Sequence, residues 1–370
     1  MKRSFIREIL EHTNSDTISF AGGLPDENLF PMQELKESFA KSLEDSNSLQ
    51  YSTSSGILPL KKIIANFYTK EGFFTTADNI LITSGSQQAL DIISRFNSGK
   101  SIATQKPSYL GALNLFELNN IKVNKFSIQK GKTNLYELKR VAMISDLIYL
   151  IPDFQNPTGA TIPIKQREEI AQICQEYGTI LIEDAPYSKL YFKEPINSIS
   201  SFIQESSFHL GSFSKVLAPA LRVGWIRASK ELLEPLIAYK EAMDLHTNSL
   251  SQQAIYHFLK KPESFDKHLE KLRANYKAKM QYFCKMLDKD LPTFNYIKPK
   301  GGMFFYGDFG GVDAKEILKQ TLKKGVIFVP GIEFGGKADE VRFNFTHSTF
   351  EELAKGIEII AKVLYNTKKR

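Results

Sequence analysis

The chain has 370 residues, 42% of them hydrophobic, and a formal charge of +7 from 48 basic and 41 acidic side chains. That length and apolar content support a sizeable core, or two domains, and exclude wholesale disorder. The charges are interspersed and the one basic run is Lys368-Lys369-Arg370, so nucleic acid is not expected as a partner, whereas small anions are.

Two cysteines, Cys174 and Cys284, lie far apart and fit neither a disulfide framework nor metal-ligand spacing, so no metal is expected. Cys174 falls on the apolar face of a predicted helix and reads as a buried, inert thiol. The N-terminus, MKRSFIREILEHTNSD, is charged throughout and does not read as a signal peptide. No run approaches membrane-spanning length, and the expectation is a soluble cytoplasmic protein with no membrane partner.

In chain order, Arg3 to Glu11 has the spacing of a short amphipathic helix, and Thr17 to Phe20 is extended. Gly22-Gly23 before Leu24-Pro25 disfavours helix and lets backbone approach something closely. Helices are predicted over Pro31–Leu43 and Leu58–Lys70, with the polar loop Gln50–Gly56 between them. Asn79 to Thr83 reads as a strand that turns through Ser84-Gly85-Ser86-Gln87-Gln88 into a helix, a junction able to seat an anion on backbone N–H groups. Strands then follow near Ser101–Thr104, Lys122–Phe126, Leu147–Ile151 and Thr179–Ile182. Helices are predicted at Gly111–Leu118 and Lys165–Tyr177.

Alternation of this kind from about residue 79 to 227 predicts an α/β fold with a mainly parallel sheet covered by helices on both faces. Ligands collect at the C-terminal ends of such strands, and Ser86, Asn156, Asp184 and Lys215 each follow one. From Glu231 to Leu287 the pattern is helical. Beyond it, strands at Gly301–Gly307, Val326–Val329 and Val341–Phe345 alternate with helices at Asp313–Lys323 and Thr349–Tyr365. This reads as a smaller α/β unit.

The stretch Phe208–Trp225, FHLGSFSKVLAPALRVGW, carries the densest chemistry. On its own it allows a Schiff-base lysine, a serine nucleophile or simple phosphate binding. Ser212-Phe213-Ser214-Lys215 fits S-x-x-K, but the partner motif S-D-N is absent and Lys132-Thr133-Asn134 lacks the glycine of K-T-G. A nicotinamide enzyme would need G-x-G-x-x-G after an early strand, also absent. An amine flanked by hydroxyls, with Arg222 seven residues on, suits pyridoxal phosphate, whose aldehyde takes a lysine and whose phosphate needs donors and positive charge.

The order SGSQQ, QNPTG, EDAPY, SFSK with Arg222, and VRFNF, from about Ile6 to Phe345, resembles the fold type I, class I/II pyridoxal-phosphate-dependent aminotransferases. GGLP and LQYSTSSG resemble the subgroup of 2-aminoadipate, kynurenine and aromatic aminotransferases. The resemblance implies a large domain with the mainly parallel sheet at 46–260, a small α/β domain at 261–370, and residues 1–45 as an N-terminal arm joining the small domain.

It also implies roles. Lys215 would anchor the cofactor and carry the substrate Cα proton. Ser86, Gln87, Ser212, Ser214 and Arg222 would hold the phosphate, and Tyr109 would stack on the ring. Asp184 would partner the pyridinium nitrogen, and Asn156 and Tyr187 the phenolic oxygen. Arg342 would clamp the substrate α-carboxylate, with Gly23 nearby and Asn156 assisting. Tyr51 would be given across a homodimer interface, and Arg7 would read a distal carboxylate. Two departures stand out: Ala185 where many relatives have a second acidic residue, and Ala220 where many have glycine.

The expected activity is transfer of an amino group from an L-amino acid to a 2-oxo acid, with 2-oxoglutarate and glutamate as the second pair. A cysteine-conjugate β-lyase would share these residues. A non-catalytic effector domain of a winged-helix regulator is less favoured, because the match begins too near residue 1 to leave room for a DNA-binding domain.

Overall fold

The computed structural model describes residues 16–129 and 132–369, together with Phe5, Ile9, Glu11 and Asn14. Phe5, Ile9 and Glu11 are helical; Arg7 lies outside the described residues.

Strands β2 (Ile80–Thr83), β3 (Ser101–Lys106), β4 (Lys122–Gln129), β5 (Lys132–Thr133), β6 (Leu147–Leu150), β7 (Ile180–Asp184), β8 (Ser207–Ser212) and β9 (Gly224–Arg227) form one eight-stranded sheet. Its order is β2-β9-β8-β7-β6-β3-β4-β5. The neighbours from β8 to β4 pair in parallel. The sheet as a whole is mixed, however: β9 runs antiparallel to both β8 and β2, and β5 to β4. A loop of 213–223 returns the chain directly from β8 to β9, too short for a crossover helix, which forces the reversal.

Side-chain alternation along the central strands divides the core. Leu147, Tyr149 and Ile182 join the larger apolar cluster with Leu90 and Phe116 from helices Ser86–Phe96 and Leu110–Leu118. Ile148, Leu150 and Leu181 face the other way, against Leu138 and Ile170 of helices Leu135–Ala142 and Ile164–Tyr177. Both faces are thus covered, which explains the continuous apolar runs in β6 and β7. Helix Leu135–Ala142 was not expected; its signal is Asn134, whose side chain accepts from the Glu137 N–H as an N-cap.

A second, four-stranded antiparallel sheet has the order β10-β11-β14-β13, from Asn295–Tyr296, Phe304–Asp308, Glu340–Asn344 and Val329–Pro330. A short parallel pair joins β1 (Ile18–Ser19) to β12 (Val326–Ile327). The helical stretch resolves into Lys230–Asp244, Ser249–Leu259 and the long Pro262–Asp290. It breaks at Leu245, whose φ is 59°, and before Pro262. Lys279 of the long helix makes a buried ion pair with Asp26 at 2.8 Å and donates to the Thr346 carbonyl at 2.7 Å. Among the described residues no helix is long and apolar enough to cross a membrane. Both cysteines are buried and free, and burial pushes the Cys174 thiol up to about 12.

Candidate active site

The segments after β7 and β8 approach Phe304 of the second sheet, through Tyr187 and the Lys215–Gly23 contact, and most of the expected site residues gather there. Gly85 starts the site. Its φ of +80° turns the chain from β2 into helix Ser86–Phe96, and a Cβ there would stand 2.6 Å from an Arg222 nitrogen. Arg222 itself is held in the left-handed region at φ 53°. Its guanidinium donates to the Ser84 carbonyl at 3.0 Å, the Pro219 carbonyl at 3.2 Å and Ser214 Oγ at 3.4 Å. Ser212 Oγ accepts from the Ser214 N–H at 3.1 Å. Helix N-terminus, two hydroxyls and one arginine therefore make a cup for an anion.

Beside the cup, Gln87 Oε1 accepts from the Tyr109 hydroxyl at 3.1 Å. Gly111 lets that half-buried ring fold back, since a Cβ there would lie 2.5 Å from it. Lys215 Nζ donates to the Gly23 carbonyl at 2.7 Å, which joins the GGLP turn to the lysine loop.

Asp184 ends β7 with a side chain nearly closed to solvent, 2% exposed. Its Oδ2 accepts from the Tyr149 hydroxyl at 2.9 Å, while Oδ1 is buried with no partner among the described residues. Burial pushes this carboxyl up to about 7, against the pull of the Tyr149 hydrogen bond. Tyr187 is buried edge-on to Phe304 and hydrogen-bonded to Asn156. Burial first, then Tyr109 and Asp184, holds its phenol well above the ordinary range.

Arg342 projects from β14 and is 1% exposed. It donates to Asn156 Oδ1 at 2.8 Å and to the Ala21 carbonyl, and lies over the rings of Phe304 at 4.5 Å and Phe334 at 4.9 Å. Its Nε finds no partner among the described residues. Burial lowers its pKa to about 10, which still leaves it charged at neutral pH. The QNPTG loop carrying Asn156 is braced from within: Gln155 Oε1 accepts from the Thr158 N–H at 2.8 Å and its hydroxyl at 2.6 Å. Gly159 completes it at φ +65°, with the Phe304 carbonyl 2.6 Å from where a Cβ would sit.

The chain that carries this amine, half-paired carboxylate, anion cup and buried arginine is similar along its length to known proteins. Residues 16–360 match the family described as aminotransferase class I and II. The chain belongs to this family. It is 35% identical to the 2-aminoadipate transaminase of Thermus thermophilus, over 98% of this chain and 94% of that one. It is 34% identical to aromatic-amino-acid aminotransferase 1 of Thermococcus litoralis, over 100% and 93%. Among solved structures, the α-aminoadipate aminotransferase LysN of Thermus thermophilus, complexed with N-(5'-phosphopyridoxyl)-L-leucine, superposes with a TM-score of 0.92 at 33% identity. That match covers 100% of this chain and 96% of the other. These neighbours share the fold type I α/β architecture expected from the sequence.

Within this aminotransferase chain, Ser86, Gln87, Tyr109, Asn156, Asp184, Tyr187, Ser212, Ser214, Lys215, Arg222, Arg342 and Gly23 fall in one region. Tyr51 stands apart. It is 79% exposed, with its ring edge-on to His246. Sequence reading missed Tyr149, Phe304, Phe334 and the Ala21 carbonyl. The first three sit in apolar segments where strand register and chain packing decide which side chains reach the site.

Proposed function

We propose that this chain is a pyridoxal-phosphate-dependent aminotransferase that moves an amino group from an aromatic or 2-aminoadipate-like L-amino acid to a 2-oxo acid, with 2-oxoglutarate and glutamate as the second pair. The observation that carries this reading is the open Oδ1 of Asp184, a buried carboxylate oxygen that calls for a cationic N–H. The ring nitrogen of pyridoxal phosphate supplies one, and the donor set around it fits the rest of the molecule. Ser86, Gln87, Ser212, Ser214 and Arg222 would hold the phosphate, Tyr109 the ring face, and Asn156 with Tyr187 the phenolic oxygen. When bound, the cofactor supplies an electron sink for the pair released at the substrate Cα.

The chain's own groups then divide the work. Lys215 Nζ would anchor the cofactor and carry the proton taken from and returned to the substrate Cα; the Gly23 carbonyl orients that amine. Arg342, fixed by Asn156 and the Ala21 carbonyl and flanked by two aromatic rings, binds the substrate α-carboxylate in a dry setting. Asp184, half-paired in the fold, would hold a proton on the ring nitrogen. Support for the substrate class comes from the 2-aminoadipate and aromatic relatives. A distal carboxylate would fall to Arg7, and Tyr51, exposed here, suits donation to a second copy in a cytoplasmic homodimer. The domain division 46–260 and 261–370, with 1–45 as the arm, belongs to the same reading.

The test is a substrate panel on the purified protein with added pyridoxal phosphate, following glutamate formed from 2-oxoglutarate. Glutamate with aromatic amino acids or 2-aminoadipate is the expected result. Pyruvate released from cysteine conjugates without any oxo-acid acceptor would replace the aminotransferase reading with a β-lyase. Arg7→Ala should raise KM for dicarboxylic substrates alone; an unchanged KM removes Arg7 from the site.

A further inference from the structure

We infer that Tyr149 is a positioning residue for the reaction: it occupies one oxygen of Asp184, leaving Oδ1 as the sole acceptor for the cofactor's ring nitrogen, and tunes how strongly that oxygen attracts a proton. This rests on the pyridoxal-phosphate reading above and adds to it a residue that contacts Asp184 from behind.

The placement follows from strand register. Tyr149 of β6 pairs with Ile182 of β7, and Asp184 lies two residues beyond Ile182 on the same face. A diagonal neighbour at that offset is within reach of an aromatic side chain. The Tyr149 hydroxyl spans the gap, donating to Asp184 Oδ2 at 2.9 Å. A carboxylate only accepts, so the phenol proton is committed to that bond. Burial, then the charge of Asp184, keeps the phenol far above its ordinary range, so it remains a donor at every working pH.

The ring has little freedom to do otherwise. It is fully buried, and Phe116 of helix Leu110–Leu118 packs edge-on against it at 5.4 Å. Its strand is held along both edges, by β7 at Ile182 and by β3 at Thr104. An aspartate on a single bond could rotate either oxygen outward. With Oδ2 pinned by a rigid phenol, the carboxylate plane is set before the cofactor arrives.

The same bond adjusts basicity. Desolvation alone makes Asp184 too ready to keep a proton, and Tyr149 is the group that opposes it. A more basic carboxylate would draw the shared proton off the ring nitrogen and weaken the electron sink.

The experiment uses holoenzyme loaded with pyridoxal phosphate labelled with ¹⁵N in the ring, comparing wild type, Tyr149→Phe, and protein with 3-fluorotyrosine at 149, a stronger donor of nearly unchanged shape. At a fixed neutral pH, Tyr149→Phe should move the ring resonance toward neutral pyridine and weaken cofactor affinity about tenfold. Fluorotyrosine should move the resonance the opposite way, a response that a purely structural role would not produce. An unmoved resonance in both variants, or affinity lost without any movement, overturns the inference while leaving the cofactor assignment standing. If wild type itself takes up no cofactor, the parent reading falls and this inference with it.

Discussion

Two adjacent carboxylates at the end of β7 point to opposite faces of the same sheet, and their surroundings differ in one respect. Glu183 is saturated: its oxygens accept from the Ile199 N–H at 3.1 Å, the Ser200 N–H at 2.7 Å and the Ser200 hydroxyl at 2.6 Å. Asp184, one residue on, has one oxygen paired and one open. Two buried arginines repeat the contrast. Arg167, on the Glu183 side, bonds the carbonyls of Pro152, Ile162, Ile196 and Asn197 and pairs with Asp153. Arg342, on the Asp184 side, keeps its Nε open. Burial imposes a desolvation cost on both faces alike, so burial does not distinguish structure from site. Within these two pairs, unfinished hydrogen bonding does. Several neutral groups remote from the site, Thr133 and Ser207 among them, are also left without a partner among the described residues. For a carboxylate or a guanidinium, however, an open buried atom is costly enough to call for a partner.

The largest effect should come from Asp184→Asn, which keeps the shape and removes the charge. Amino transfer is expected to fall about 10²–10³-fold, read as single-turnover rate, with folding intact. A variant retaining wild-type rate would erase the contrast with Glu183.

Swapping the arginines comes next. Arg167→Met breaks a saturated buried pair and should cost about 3–5 kcal/mol of stability, read by urea unfolding. Arg342→Met should cost about 1 kcal/mol yet lower kcat/KM about 100-fold or more through the lost carboxylate anchor. Equal stability losses would mean that both arginines are structural.

A pH series sharpens the carboxylate comparison. The folded Asp184 carboxyl titrates near 7, above its unfolded value of 3.8, so the folded cofactor-free protein holds a proton that the unfolded chain has released. Stability from this group is therefore full below about pH 4, falls as pH rises toward 7 and is flat above, a loss of up to about 4 kcal/mol. Asp184→Asn should remove that slope, making the cofactor-free variant the more stable above pH 7 and no different near pH 4. Glu183 and Asp153, also pushed up by burial, titrate in both proteins and cancel in the difference. Parallel pH curves would show that Asp184 is not held in the half-paired state.

The smallest effect belongs to Glu183→Gln. It sets an amide N–H against donors already present and should cost about 1–3 kcal/mol with turnover unchanged. A loss of turnover without loss of stability would place Glu183 in the chemistry.

Much of this was legible in the sequence where chemistry is carried by short contiguous blocks. Lys215 with Ser212, Ser214 and Arg222, or Asn156 within QNPTG, needed no knowledge of strand pairing, because a turn brings them together locally. Tyr149 and Arg167 were not legible. One lies in an apolar strand and the other in a polar helix, and only register and packing reveal that the first touches Asp184 and the second does not. The antiparallel partners of β9 were hidden for the same reason, since pairing with β2 joins segments far apart in sequence. The break at Leu245 has no glycine or proline to announce it.

The most direct test of the account is borohydride reduction of the protein with pyridoxal phosphate, followed by peptide mass mapping. Covalent pyridoxyl phosphate on the peptide containing Lys215, abolished in Lys215→Ala, is the predicted result. Label on another lysine, or undiminished labelling of Lys215→Ala, would contradict it.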